Sequence, residues 1–227
     1  MKFRNRQSAL LFVLVLLAMA PCLAQQTAED FIQRGKEQLE KKQYLEAQAS
    51  FETAVKLNPN LAAAYYYRGR LQIDRNLGIA DLSKAIELRP DYAEAYYQRG
   101  LINDLGANRT LAMTDYSKAI QLNPRYVEAY MGRAVLYLLD KKGQQAIADY
   151  TKVIELRPDG DSYYVRGKSY LDIGQPAKAI IDLTKAIQLD PTYYWSYKQR
   201  AKAYLQVGKY RLAEADEQKA RMIGPPK

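Results

Sequence analysis

Proline returns at a nearly constant interval along this chain, and that interval limits the fold more than any other feature. It closes Leu57-Asn58-Pro59, Leu88-Arg89-Pro90, Leu122-Asn123-Pro124, Leu156-Arg157-Pro158, Leu189-Asp190-Pro191 and Ile223-Gly224-Pro225, so successive prolines stand 31, 34, 34, 33 and 34 residues apart. Self-similarity at such a period marks stacked supersecondary units rather than one irregular core. Proline lacks an N–H and drives the residue before it out of the helical region, so each one ends a helix. The chain is read as six units, 28–61, 62–92, 93–126, 127–159, 160–193 and 194–227, after a short segment 25–27.

With its proline at position thirty-two, each unit falls into register with the others. Position four is aromatic (Phe31, Tyr65, Tyr96, Tyr130, Tyr163, Tyr197) and position eight is small (Gly35, Gly69, Gly100, Ala134, Gly167, Ala201). Position twenty is small as well (Ala47, Gly78, Ala112, Ala146, Ala179, Ala213), and position twenty-seven is alanine or valine (Ala54, Ala85, Ala119, Val153, Ala186, Ala220). Apolar residues recur at three- and four-residue steps on either side of polar breaks such as Lys41-Lys42-Gln43 and Gly174-Gln175-Pro176, which predicts two helices per unit. Small residues let the two helices approach closely. The aromatic at position four is expected to fill the space beside them, at about 1.5–3 kcal/mol for a buried ring. Unit 62–92 is three residues short between Asp74 and Gly78, which predicts a shortened internal turn.

These rows resemble the tetratricopeptide repeat, whose pattern runs Trp, Leu-Gly, Tyr, then Ala, Phe and Pro, and the resemblance covers nearly all of the chain beyond residue 27. It implies an all-α fold, a right-handed superhelical solenoid of about twelve antiparallel-paired helices with the first helices on its concave side. One departure matters. The family usually carries leucine at position seven, and here that position is Arg34, Arg68, Arg99, Arg133, Arg166 and Arg200. An arginine buried without a partner is costly, and position twenty-three supplies acids in five units: Asp81, Asp115, Asp149, Asp182 and Asp216, with Ser50 in the first. The two rows are assigned to structural ion pairs rather than to a ligand track or carboxylate chemistry.

Positions twenty-four and twenty-eight are largely apolar through five units, from Phe51 and Val55 to Leu183 and Ile187, but become Glu217 and Arg221 in the sixth. A stacked array needs a polar face where stacking stops, so the sixth unit is expected to cap itself.

In the family, positions two, five, six and nine point into the concave groove. Carried onto this chain, the resemblance implies a partner-binding surface of Tyr66, Tyr67, Arg70, Tyr97, Gln98, Met131, Tyr164, Lys168, Lys198 and Lys202, edged by Glu94, Glu128 and Asp161. Tyrosine, arginine and methionine are enriched where proteins meet, although several of these rings could equally serve only to pack neighbouring first helices. Some members hold a chaperone's C-terminal carboxylate in a clamp of lysine, asparagine and arginine. Its asparagine positions here are Lys36 and Tyr67, so that clamp is absent.

The first 24 residues carry an address. Lys2, Arg4 and Arg6 precede an uncharged run from Ala9 to Ala20, then Pro21, Cys22, Leu23 and Ala24. This is the order of a secretory signal, and the run is too short for a spanning helix of roughly 20 residues. Removal after Ala24 and a periplasmic or secreted location are expected; Pro21 directly before Cys22 argues against the rival reading, a lipid-modified cysteine. Cleavage would remove the only cysteine and lower the net charge from +9 to +6, since three cations and no acid are lost. A basic surface favours acidic partners or an anionic envelope.

Without histidine, no histidine-based general base, Ser-His-Asp triad or histidine metal site can exist. No phosphate-cradling glycine loop occurs either. The chain is read as a non-enzyme with no cofactor and no metal. Basicity with aromatics also suggests nucleic acid, but export and interleaved acids weigh against it. The expected partner is an envelope-associated protein or peptide, with no transmembrane span in the scaffold itself. A glycan or peptidoglycan stacked on the same tyrosines is the alternative.

Overall fold

A computed structural model describes residues 26–225. The expected signal segment, with Cys22 and the cut after Ala24, lies outside the described residues. The chain divides into two compact units, Met1–Ala64 and Tyr65–Lys227.

The first unit holds α1 (Ala28–Glu40), α2 (Tyr44–Leu57) and the first turn of α3 (Ala62–Leu71). Thr27 starts α1 with a capping box. Its hydroxyl accepts the Asp30 N–H at 3.2 Å, while the Asp30 carboxylate accepts the Thr27 N–H at 2.8 Å. Phe51 of α2 is fully buried over Gly35 of α1, where a Cβ would meet the ring at 2.5 Å.

The second unit continues α3 and runs through α4 (Arg75–Leu88), α5 (Ala93–Leu105), α6 (Arg109–Leu122), α7 (Val127–Leu139), α8 (Gly143–Leu156), α9 (Gly160–Asp172), α10 (Pro176–Leu189), α11 (Tyr194–Gln206) and α12 (Tyr210–Ile223). From α4 onwards each helix packs on the next. Among the described residues there are helices and turns and no strands.

The recurring proline acts as its chemistry requires. The residue before it is extended in each of five cases (Asn58, Arg89, Asn123, Arg157, Asp190), with φ between −144° and −131°, and its N–H closes the preceding helix on a carbonyl four residues back. Within pairs, three residues separate the helices in every case. Five of these turns place a left-handed residue second: Lys42, Ala107, Lys141, Gly174 and Gly208, with φ from +59° to +74°. The next N–H then reaches back to a carbonyl five residues earlier, as Asn108 to Asn103 at 2.8 Å, which satisfies the helix end.

The short unit departs from expectation. Its turn, residues 72–74, is as long as the others, and the three missing residues come out of α3, which has 10 residues against 13 in the other first helices. Three residues are already a minimal reversal, so the helix absorbs the deletion. The Asp74 carboxylate replaces the left-handed turn by accepting the N–H groups of Asn76 and Leu77 at 2.7 and 3.2 Å.

Position eight is small because the residue at position twenty-four of the same pair lies over it. A Cβ on Gly100 would meet the Tyr116 ring at 2.9 Å, and one on Gly167 would meet Leu183 at 2.9 Å. Leu82, Tyr116, Tyr150 and Leu183 are all buried, each contributing about 1.5–3 kcal/mol. Tyr116 also reaches the next first helix, where a Cβ on Gly132 would lie 2.8 Å from its ring.

Candidate functional site

The sequence proposes two sets of residues, and the structure separates them onto different surfaces of the second unit. Arginine at position seven and aspartate at position twenty-three face each other across each helix pair. Arg68 with Asp81, Arg99 with Asp115, Arg133 with Asp149, Arg166 with Asp182 and Arg200 with Asp216 form two-pronged pairs, Nε to one oxygen and a terminal nitrogen to the other, at 2.6–3.0 Å. The aspartates are buried and the arginines about a fifth exposed. From Arg99 onwards the remaining nitrogen donates to a hydroxyl of the preceding pair: Ser83, Ser117, Thr151 or Thr184, at 3.0–3.2 Å.

The aromatic at position four also lies against this guanidinium, and Tyr130 packs with Ala119, Ala129 and Val153. Arg133 has Tyr130 and Tyr137 at 5.7 and 5.8 Å, and Arg200 has Tyr197 and Tyr204 at 5.8 and 5.7 Å. An i−3 and an i+4 ring on one helix bracket the charge. The hydrogen bonds to Asp149 and Asp182 hold Arg133 and Arg166 above the ordinary arginine pKa, against the effect of burial. In the first unit Ser50 replaces the acid and donates to Gln38 at 2.7 Å, while Arg34 lies 4.8 Å from the Phe31 ring.

The second set lies along the first helices. Tyr66 is buried, with Tyr67 at 5.0 Å and Tyr92 at 4.8 Å, and Arg70 stands 5.4 Å over it. Tyr97 is half-buried beside Tyr126 at 4.9 Å and Tyr116 at 5.8 Å, and Tyr164 lies edge-on to Tyr193 at 5.1 Å. Gln98 is half-buried, as is Met131, whose sulfur takes a contact from Arg157 at 3.1 Å. Burial raises the phenols of Tyr66, Tyr92, Tyr97 and Tyr126, and pushes Tyr164 up to about 12.

Tyr92, Tyr126 and Tyr193 were not among the residues proposed from sequence. They stand just before the first helix of the following pair and read as linker; their only signal is recurrence two residues after the proline.

Two of the three lysines at the C-terminal end are already neutralised. Lys168 pairs with Asp172 at 3.0 Å, and Lys198 pairs with Glu217 at 2.8 and 2.9 Å, whereas Lys202 is exposed. Lys198 and Glu217 hold the positions of Tyr97 and Tyr116, so an aromatic contact inside the array becomes an ion pair in the last pair of helices. Tyr210, on the same stripe of α12 as Glu217 and Arg221, is exposed with Arg221, which makes that face mixed rather than uniformly polar.

Where α7, α8 and α9 meet lies an open cavity of about 450 Å³ lined by Val135, Leu138, Leu139 and Val165, with Lys168 and Asp172 beside them. No helix among the described residues is long and apolar enough to cross a membrane, and no group of three metal-ligating side chains is gathered there.

Three family models of the tetratricopeptide repeat match the chain, at residues 32–77 and 106–161, at 160–193 and at 183–215. No curated protein matches it. Among solved structures it is similar to YrrB, a tetratricopeptide protein with an unusual peptide-binding site, at 19% identity and a TM-score of 0.70, covering 77% of this chain and 92% of that one. It is also similar to PilF of Pseudomonas aeruginosa, at 15% identity and a TM-score of 0.73, covering 88% and 93%. A third is the C-terminal part of a tetratricopeptide protein from Cytophaga hutchinsonii, at 20% identity and a TM-score of 0.73, covering 85% and 78%. Proteins of this kind are in general non-catalytic scaffolds that bind protein or peptide partners. The matches along the sequence, the paired helices and these neighbours agree: the chain belongs to the tetratricopeptide repeat family.

Proposed function

We propose that this protein is a non-catalytic scaffold of the cell envelope, exported by the segment 1–24 and holding a protein or peptide partner against its tyrosine-rich first-helix face. The observation that carries the reading is the row Tyr97, Tyr126, Tyr164 and Tyr193, half-buried rings that pair at 4.9 and 5.1 Å and keep part of their surface exposed. Such rings offer rigid contact area at low entropic cost. The arginine face offers less, because each guanidinium from Arg99 onwards is already engaged by a carboxylate, a hydroxyl and at least one ring.

The test is capture from an envelope extract by the full-length chain and by a Tyr97→Ala, Tyr126→Ala, Tyr164→Ala variant. Tyr66 is left intact because it is buried. Loss of specific partners from the variant, with helicity and melting retained, is the expected result. A folded variant that keeps every partner rejects the face, and capture of glycan fragments alone would redirect the function to envelope polysaccharide. Export is tested separately by the N-terminal sequence of the protein recovered from cells: a start at Gln25 is expected, and a lipid-bearing Cys22 would overturn cleavage after Ala24.

A further inference from the structure

The same aromatic pair is built twice along the first helices, once with its cation and once without. Tyr66 and Tyr92 stand 4.8 Å apart at an interplanar angle of 39°, and Tyr97 and Tyr126 repeat this one unit later at 4.9 Å and 43°. The first pair is covered by the chain's own guanidinium groups, Arg89 at 3.7 Å from the Tyr92 ring and Arg70 at 5.4 Å from Tyr66. In the second pair the equivalent positions are Asn123 and Leu101, and among the described residues no cation lies over either ring.

The charge around the second pair is negative. The ionised groups that act on the Tyr97 and Tyr126 hydroxyls are Glu128 and Glu94, and both raise the phenol pKa, as a carboxylate must. Glu94 is exposed and, among the described residues, makes no hydrogen bond or ion pair. Glu128 meets Arg157 at 3.3 Å with both side chains about half exposed, and Arg157 also lies 3.0 Å from Asp159, so its charge is shared. Among the described residues, a ring face with no cation over it and two carboxylates, Glu94 without a partner and Glu128 sharing Arg157 with Asp159, together form a seat for an ammonium or guanidinium group.

We infer that Tyr97, Tyr126, Glu94 and Glu128 form a seat for a lysine or arginine side chain of a bound peptide, which takes the place that Arg89 occupies over Tyr92 one unit earlier. This rests on the first-helix face being the binding surface. It also reverses the expectation from the net charge of +9, which favours acidic partners: the local field over the tyrosines selects a basic segment.

The experiment selects peptides from a random twelve-residue display library on the full-length chain, then measures the best binder by fluorescence anisotropy. Enrichment of lysine or arginine over aspartate and glutamate is expected. Affinity should fall about tenfold in Glu94→Gln/Glu128→Gln and weaken with added salt. Asn123→Arg should fill the seat from within and lower affinity by a similar factor, while Asn123→Gln leaves it unchanged. Both give up the bond that Asn123 accepts from the Arg125 N–H at 3.0 Å, so the two should melt alike and slightly below the parent, while Glu94→Gln/Glu128→Gln melts with the parent. Selection of acidic or uncharged peptides, selection of none, or full affinity in Asn123→Arg would each overturn the inference. The two readings fail separately. If the tyrosine variant loses its envelope partners while Asn123→Arg keeps them, the face stands and the cation seat falls; if neither loses them, the face itself is wrong.

Discussion

Asp149→Ala should destabilise this fold more than removal of the whole ion pair to which Asp149 belongs. In the parent, Arg133 donates to the two Asp149 oxygens at 2.9 and 2.8 Å and to Ser117 at 3.2 Å, with its side chain 18% exposed and that of Asp149 only 7%. Truncating the acid leaves a guanidinium held by one hydroxyl and two ring faces. Breaking a fully buried pair from one side costs about 3–5 kcal/mol, and the partial exposure of Arg133 and its retained contacts lower this to about 2–3 kcal/mol. In Arg133→Leu/Asp149→Leu no charge is stranded and apolar volume replaces both side chains, so the loss should stay under about 1 kcal/mol. At roughly 2–4 °C per kcal/mol for a chain of this size, the single variant should melt about 4–12 °C lower and the double within about 4 °C of the parent. Circular dichroism during heating and in urea measures both. Stacked arrays need not melt as one body, so hydrogen exchange at the α7 and α8 amides should show the loss concentrated there. A double variant as unstable as the single, or a single variant that melts with the parent, would refute the reasoning that a stranded charge is the main cost.

Alkali should unfold the protein through its buried phenols. Burial pushes Tyr150 and Tyr164 up to about 12, whereas unfolded tyrosines ionise near ~10, so the stability held by the neutral rings is complete below pH ~10 and is lost as pH rises through 12; phenolate absorbance followed alongside the urea midpoint tests this, and full ionisation near pH 10 without loss of stability contradicts it. Ala107→Gly should raise stability by about 0.5–1 kcal/mol, because Ala107 holds φ +60° where Gly174 and Gly208 serve two of the other turns; an unchanged or lower melting temperature would deny strain at that turn. Gly132→Ala should cost about 1–2 kcal/mol despite its gain in helix propensity, since Tyr116 is pinned between Gly100 and Gly132. Adding Tyr116→Leu, the residue type of Leu82 and Leu183 in the same row, should recover most of that loss in urea unfolding, and no recovery would mean that the ring is not the obstacle.

What could be read from sequence was whatever repeats within one unit. Proline, the small residues and the arginine and aspartate rows recur at fixed spacing, and side chains sixteen positions apart in each of several pairs meet across one helical hairpin. What could not be read lies between units or depends on how a change is absorbed. Ser117 and Thr151 look like ordinary helix-surface residues until the following pair brings its arginine against them. The three-residue deletion near Asp74 does not declare whether helix or turn will shorten; only the need for a three-residue reversal decides it, at the expense of α3. Tyr92 and Tyr126 precede their helices and so belong to no helix face in the sequence, although each is half of an aromatic pair. Periodicity therefore accounts for folding, and departures from it mark where the units stop being equivalent. Arg89 gives way to Asn123 and Arg70 to Leu101 with the rings unchanged, and nothing in the stacking of helices requires either change. A place over the rings that no arginine among the described residues fills, next to Glu94 without a partner there and Glu128 with an Arg157 already shared with Asp159, is where an outside cation can bind.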